Sequence, residues 1–151
     1  MLTEVSILPI QSVYSIDNHT ITAEVLNDEP LIVKFTNVLS DEECQALIKD
    51  AAARLQRSKL ANKEVSQIRT SSGMFFEENE SPLIHIIEKR VAKLMHLPLE
   101  NAEGLQVLHY EPGQEFKAHF DYFGPNHPSS SNNRISTLVM YLNDVEEGGA
   151  T

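Results

Sequence analysis

"GLQVLHYEPGQEFKAHFDYF", residues Gly104 to Phe123, decides how this chain is read. Its halves, "LQVLHY" and "EFKAHFDYF", are strand-like runs of apolar and aromatic side chains. Between them, "EPGQ" puts Pro112 and Gly113 at the central positions of a type II turn. Side chains alternate faces along a strand, so His119 and Asp121 point the same way. Phe116, Phe120, Tyr122 and Phe123 mark the second run as a buried strand, where an unpartnered carboxylate is costly. If "EPGQ" makes a tight hairpin rather than a longer loop, Tyr110 pairs with Glu115, which sets Tyr110 on the face of His119 and Asp121.

A metal ion would supply the missing partner. The triplet His-x-Asp alone also describes a surface pair; the aromatic setting favours the ligand reading. Two histidines and one carboxylate with open positions form the facial triad of non-haem Fe(II) oxygenases. Zinc is the alternative cation, with His127 as a third ligand if the loop "GPNHPSSSNN" folds back. Arg134 follows that loop and opens the strand-like run "RISTLVMYLN"; it reads equally as a partner for a carbonyl or carboxylate and as a solvated flank.

Upstream, "ITAEVL" and "LIVKF" read as two strands about the turn-like "NDEP". The residues before them alternate weakly, as an edge strand or an arm would. Ser40 and Glu43 form a capping box, and Asp41, Glu42 and Glu43 suit the positive end of a helix. Cys44, Leu47, Ile48, Ala51 and Leu55 follow as one apolar stripe. "IRTSSGMFF" reads as a strand or ordered loop. Ser81 and Pro82 open a second helix with Ile84, Ile87, Val91 and Leu94 inward, ending before Pro98. Helices packed with β elements, then consecutive antiparallel strands, predict an α+β fold whose sheet curls into a sandwich or barrel.

The chain has 151 residues, enough for one domain, which spans 1–151: strands and helices over roughly 1–100, the curling sheet over 101–151. A formal charge of −10 disfavours nucleic acid and anionic membranes and suits a neutral or basic peptide. No run is long and apolar enough to span a bilayer. The N-terminal residues do not read as a secretory signal. One cysteine excludes an internal disulfide and points to a reducing, cytoplasmic setting.

"GLQVLHYEPGQEFKAHFDYF" followed by "NNRISTLVMYLNDVEEGGAT" closely resembles the prolyl 4-hydroxylases of the short bacterial type, which are Fe(II)- and 2-oxoglutarate-dependent dioxygenases. "NVLSDEECQALI" and "IRTSSGMFF" extend the likeness to nearly all of the chain from about residue 28. The combination Y-x-x-G-Q, H-x-D, R-x-x-T-x-x-x-Y-L and E-E-G-G-x-T, in that order, carries it.

The resemblance implies a double-stranded β-helix (jelly-roll) core with supporting helices. It implies His119 and Asp121 as two of three iron ligands, and Tyr110 and Thr151 as contacts to 2-oxoglutarate. Glu103, Arg134 and, in the segment bordering the peptide groove, Arg69 match positions that hold the substrate. The implied reaction hydroxylates C4 of a peptidyl proline with O2, converts 2-oxoglutarate to succinate, and commonly needs L-ascorbate. Collagen-like repeats are one candidate substrate.

In the family a second histidine ligand and a lysine that pairs with 2-oxoglutarate come several dozen residues later. The barrel is therefore expected to be incomplete in this chain, the 151 residues alone inactive, and the open edges able to pair in a homodimer. A truncated relative that only binds peptide, and a zinc-binding β-barrel, are the competing readings.

Overall fold

The computed structural model describes residues 10–59 and 67–151. The chain divides into two compact units, one of residues 1–49 and 75–107, the other of residues 50–74 and 108–151.

The first unit is built on an antiparallel meander, β1 (Val13–Ile16), β2 (His19–Asp28) and β3 (Leu31–Thr36), in the order β1-β2-β3. Asp17 and Asn18 both take positive φ and join β1 to β2, with Ile16 opposite His19. That is the two-residue hairpin turn whose twist matches the flanking strands. "ITAEVL" and "LIVKF" do pair, Ala23 opposite Phe35 and Val25 opposite Val33, with an irregularity between Val25 and Asn27.

Helix α1 (Asp41–Ala52) starts as the capping box requires. The Ser40 N–H donates to Glu43 Oε2 at 2.9 Å, and the Glu43 N–H donates to Ser40 Oγ at 3.2 Å. Helix α2 (Pro82–Met95) is capped by Ser81 Oγ, which accepts from the Ile84 N–H. It ends at His96 in the left-handed region, ahead of Pro98. A short 3-10 turn, Leu99–Asn101, follows.

One core cluster of this unit is Tyr14, Ile21 and Leu94, flanked by Ile16, Ala23, Phe35 and Val38, and Leu47, Ile84 and Ile87 are buried as completely. Burying each such aliphatic side chain stabilises by about 1.5–3 kcal/mol.

A charged residue on α2 is buried as deeply as its apolar neighbours. Arg90, 2% exposed, reaches Glu43 through both terminal nitrogens at 2.7 and 2.8 Å and the Val38 carbonyl at 2.9 Å.

In the second unit, β4 (Gln56–Arg57) runs antiparallel to β5 (Ser72–Phe75), Gln56 opposite Gly73 and Arg57 opposite Ser72. Two buried serines lock the pair, Ser71 Oγ to Ser58 Oγ at 3.0 Å. β6 (Gln106–His109) carries the chain back from the first unit to the second.

Two of the three strand-like runs expected after residue 104 are not strands. "LQVLHY" forms β6, but residues 117–123 and 134–143 belong to no ladder, and Phe120, Ile135 and Tyr141 are 87%, 72% and 62% exposed. The mixture of helices and antiparallel sheets is the α+β class expected; the described residues close no barrel. Alternation makes a run able to pair, but pairing needs a neighbouring strand, and among the described residues these two runs have none.

Candidate active site

The turn at Pro112–Gly113 forms, with Gly113 at φ +81° and the Gln114 N–H donating to the Glu111 carbonyl at 2.9 Å. The hairpin expected beyond it does not. Glu115 to Lys117 align instead with Ile68 to Thr70. The Thr70 N–H donates to the Glu115 carbonyl at 2.8 Å, the Lys117 N–H to the Ile68 carbonyl at 2.9 Å, and Arg69 and Phe116 form an isolated antiparallel bridge. The Thr70 hydroxyl replaces a strand partner on the Glu115 side, accepting from its N–H at 2.7 Å and donating to its carbonyl at 3.0 Å. Tyr110 is therefore not cross-strand from Glu115, and its place on the His119 face does not follow from strand parity.

Beyond Lys117 the chain bends at Ala118 and again at Asp121–Tyr122. His119 and Asp121 still meet: His119 Nε2 lies 3.1 Å from Asp121 Oδ1, with the side chains 37% and 42% exposed. The pair is half-exposed, not buried as expected. The bends, not a regular strand, bring the side chains together.

Two neighbours fix the imidazole. Its ring stacks on Phe116 with centroids 3.5 Å apart and planes 16° apart. Its Nδ1 is 2.7 Å from the Lys117 carbonyl oxygen. A carbonyl only accepts, so Nδ1 carries a proton; with the ring in its neutral form, the lone pair is at Nε2, toward Asp121. The other oxygen of Asp121, Oδ2, accepts the Thr137 hydroxyl at 2.6 Å.

In the neutral tautomer two electron-pair donors face each other at 3.1 Å. That separation fits two ligands set at right angles on one cation, each about 2.1 Å away. An imidazole nitrogen oriented by a carbonyl, beside a carboxylate oriented by a hydroxyl, is the donor chemistry a divalent transition metal needs. These residues fit such an ion.

Two guanidinium groups lie near the pair. Arg134 Nη1 donates to the Asp121 carbonyl at 3.2 Å, and its guanidinium lies 4.6 Å from the Phe123 ring centroid. The Arg69 guanidinium stands 4.8 Å from the Phe116 centroid. Burial first, then Arg134, lowers its pKa, while Tyr110 and Asp121 act in the opposite direction. Tyr110, Asp121 and Arg134 are thus all within electrostatic reach of Arg69.

The loop after Phe123 is pinned at its ends. Asn133 accepts the Phe123 N–H at 2.7 Å and donates to the Phe123 carbonyl at 2.8 Å. His127 stacks on Phe123 at 4.3 Å, and its Nδ1 accepts the Ser129 N–H. It does not join His119 and Asp121. Among the described residues no three His, Cys, Asp or Glu side chains converge, so the zinc trio of His119, Asp121 and His127 is not formed.

The Thr151 hydroxyl is 2.5 Å from that of Tyr141. Within the second unit, His119, Asp121, Arg134, Arg69 and Tyr110 form one neighbourhood. Thr137, Phe116 and Asn133 were not singled out. Thr137 stands in the R-x-x-T motif, the one signal that pointed to it.

A family model described as the 2OG-Fe(II) oxygenase superfamily matches residues 105–151, the stretch that contains the pair. Probable prolyl 4-hydroxylase 3 of Arabidopsis thaliana is 42% identical over 134 residues, which are 85% of this chain and 47% of that protein. Prolyl 4-hydroxylase 5 of the same plant is 40% identical over 85% of this chain and 46% of its own length. Over most of its length the chain is thus similar to prolyl 4-hydroxylases, and its last third matches the 2OG-Fe(II) oxygenase model. Prolyl 4-hydroxylase 2, also from Arabidopsis thaliana, is 38% identical over 100% of the chain and 52% of that protein. The chain spans about half the length of the curated relatives it matches.

Proposed function

We propose that the complete protein hydroxylates C4 of a proline in a peptide or protein substrate. Peptidyl proline, 2-oxoglutarate and O2 would give peptidyl 4-hydroxyproline, succinate and carbon dioxide, one oxygen atom entering each of the first two products. The observation that carries this reading is the His119–Asp121 pair, its ring nitrogen and carboxylate oxygen 3.1 Å apart, in a chain about 40% identical to prolyl 4-hydroxylases. His119 and Asp121 would hold Fe(II), which supplies the activation of O2 when bound.

The chain's own residues prepare that site. Phe116 and the Lys117 carbonyl hold the His119 ring in one orientation and one tautomer. Arg69 and Arg134 offset the charge of an anionic cosubstrate brought beside Asp121. Tyr110, within reach of Arg69, is suited to hydrogen-bond that cosubstrate. Arg134, already on the Asp121 carbonyl, can receive a substrate carbonyl from the same edge. For Thr151 and Glu103 the support is the sequence resemblance alone. A jelly-roll core, a role for ascorbate, collagen-like substrates and a homodimer belong to the same proposal.

Incubating the complete protein with Fe(II), 2-oxoglutarate and proline-containing peptides tests it. Succinate release coupled to a one-oxygen mass gain on proline is expected. Succinate without any modified proline would remove the peptide-hydroxylase reading.

A further inference from the structure

Asp121 uses its two carboxylate oxygens differently. Oδ1 faces His119 Nε2 at 3.1 Å, while Oδ2 accepts the Thr137 hydroxyl at 2.6 Å. Threonine has one O–H to donate, and here it goes to the oxygen turned away from the imidazole. The short distance is that of a hydroxyl on an ionised acceptor. With the Asp121 side chain 42% exposed, packing alone leaves the carboxylate free to rotate, so the hydroxyl supplies the restraint. Three residues before Thr137, Arg134 holds the main-chain carbonyl of the same aspartate at 3.2 Å. One segment therefore grips residue 121 by its backbone and by one side-chain oxygen.

We propose that Thr137 is a positioning residue that makes Asp121 a one-oxygen ligand. The proposal rests on the reading of His119 and Asp121 as metal ligands. A carboxylate can bind a cation through one oxygen or through two. The second mode takes up a coordination position, and this chemistry needs positions left open for the cosubstrate and dioxygen. By holding Oδ2 in a hydrogen bond, Thr137 keeps that position free and fixes Oδ1 toward His119. Valine at this position keeps the shape of threonine without the donor; serine keeps the donor.

The test is an anaerobic calorimetric titration of the complete protein with Fe(II) alone, then with 2-oxoglutarate on the Fe(II)-loaded form. Thr137→Val is expected to weaken Fe(II) binding by about 10–100-fold, the usual cost of losing a group that orients a ligand. It should also weaken 2-oxoglutarate binding to the loaded protein, and Thr137→Ser should restore both. Wild-type affinities in Thr137→Val would overturn the proposal while leaving the site reading intact, provided His119→Ala has lost Fe(II) binding. Serine performing no better than valine would overturn it equally. If His119→Ala and Asp121→Ala both bind Fe(II) like wild type, the site reading itself falls and takes Thr137 with it. Should Thr137→Val not fold, Thr137→Ala against Thr137→Ser decides by the same titration.

Discussion

Glu43 in the first unit and Asp121 in the second each lie beside a nitrogen-bearing side chain, and the two are treated in opposite ways. In the first unit Glu43 is saturated by close donors, with the His19 ring nitrogen farther off at 3.6 Å. Arg90 reaches both of its oxygens at 2.7 and 2.8 Å, and the Ser40 N–H adds a third bond. The side chains are 3% and 16% exposed. In the second unit Asp121 has one donor on Oδ2, and Oδ1 faces a nitrogen whose lone pair points back at it in the neutral ring. A saturated carboxylate holds elements together. One with an oxygen left toward another electron-pair donor is, on the proposed reading, where a cation would sit.

The sharpest way to break this contrast is at the open pair. His119→Ala or Asp121→Ala in the complete protein should lower 2-oxoglutarate turnover by at least about 100-fold, since one remaining group here cannot orient the ion. Circular dichroism should be unchanged, because the side chains are half-exposed and no core rests on them. Undiminished succinate production would equate the two carboxylates and end the comparison.

The saturated pair should answer in stability instead. Arg90→Met keeps most of the side-chain volume and leaves Glu43 without its cation. It should lower the unfolding free energy by about 3 kcal/mol, as breaking buried pairs does. Denaturant unfolding measures it.

The effect should depend on pH. The hydrogen bonds from Arg90, ahead of that from the Ser40 N–H, hold the Glu43 carboxyl below its ordinary 4.5. A carboxyl lowered by folding stabilises the native state above the unfolded value and loses that contribution as pH falls through the folded one. Wild type and Arg90→Met should thus converge in stability below pH 4.5 and separate above it. Parallel curves would mean that Arg90 acts through packing alone.

Tyr110→Phe probes the rim of the open site. Loss of one hydrogen bond to a charged cosubstrate would weaken 2-oxoglutarate binding by about 1.5–3 kcal/mol. An unaltered affinity would leave Tyr110 as a bystander to Arg69.

The two regions also differ in how far the sequence anticipates them. Both helices begin where Ser40 and Ser81 say they should, because a cap is decided within four residues. "ITAEVL" and "LIVKF" pair because a short turn supplies each with the other. "EFKAHFDYF" and "RISTLVMYLN" have the same alternation without a neighbour, and alternation cannot provide one. His119 and Asp121 are two residues apart, so their meeting is legible even though the strand is not. Thr137 is sixteen residues from Asp121, beyond any local pattern. Arg90 reads as one more charge on a helix, and only the folded chain brings Glu43 to it from 47 residues away.

The smallest effect distinguishes the two hydroxyls that touch these carboxyl-bearing residues. Ser40 Oγ accepts from the Glu43 N–H, but the Glu43 carboxylate takes its bonds from the Ser40 main chain and from Arg90. Ser40→Ala keeps both of those bonds. It should cost chiefly the lost helix cap, about 1 kcal/mol, with the hydroxyl's bond to the exposed Glu42 carboxyl lost as well. The acid dependence set by Arg90 should be as in wild type, since the largest cause of the lowered Glu43 value remains. At Asp121 the hydroxyl is itself the donor to Oδ2, so removing it changes what the carboxylate can bind. Chemical unfolding of Ser40→Ala across the acid range checks the first half. A loss well above 1 kcal/mol that fades on acidification would mean that the Ser40 hydroxyl helps hold the carboxylate after all, and the two sites would be less different than their bonds imply.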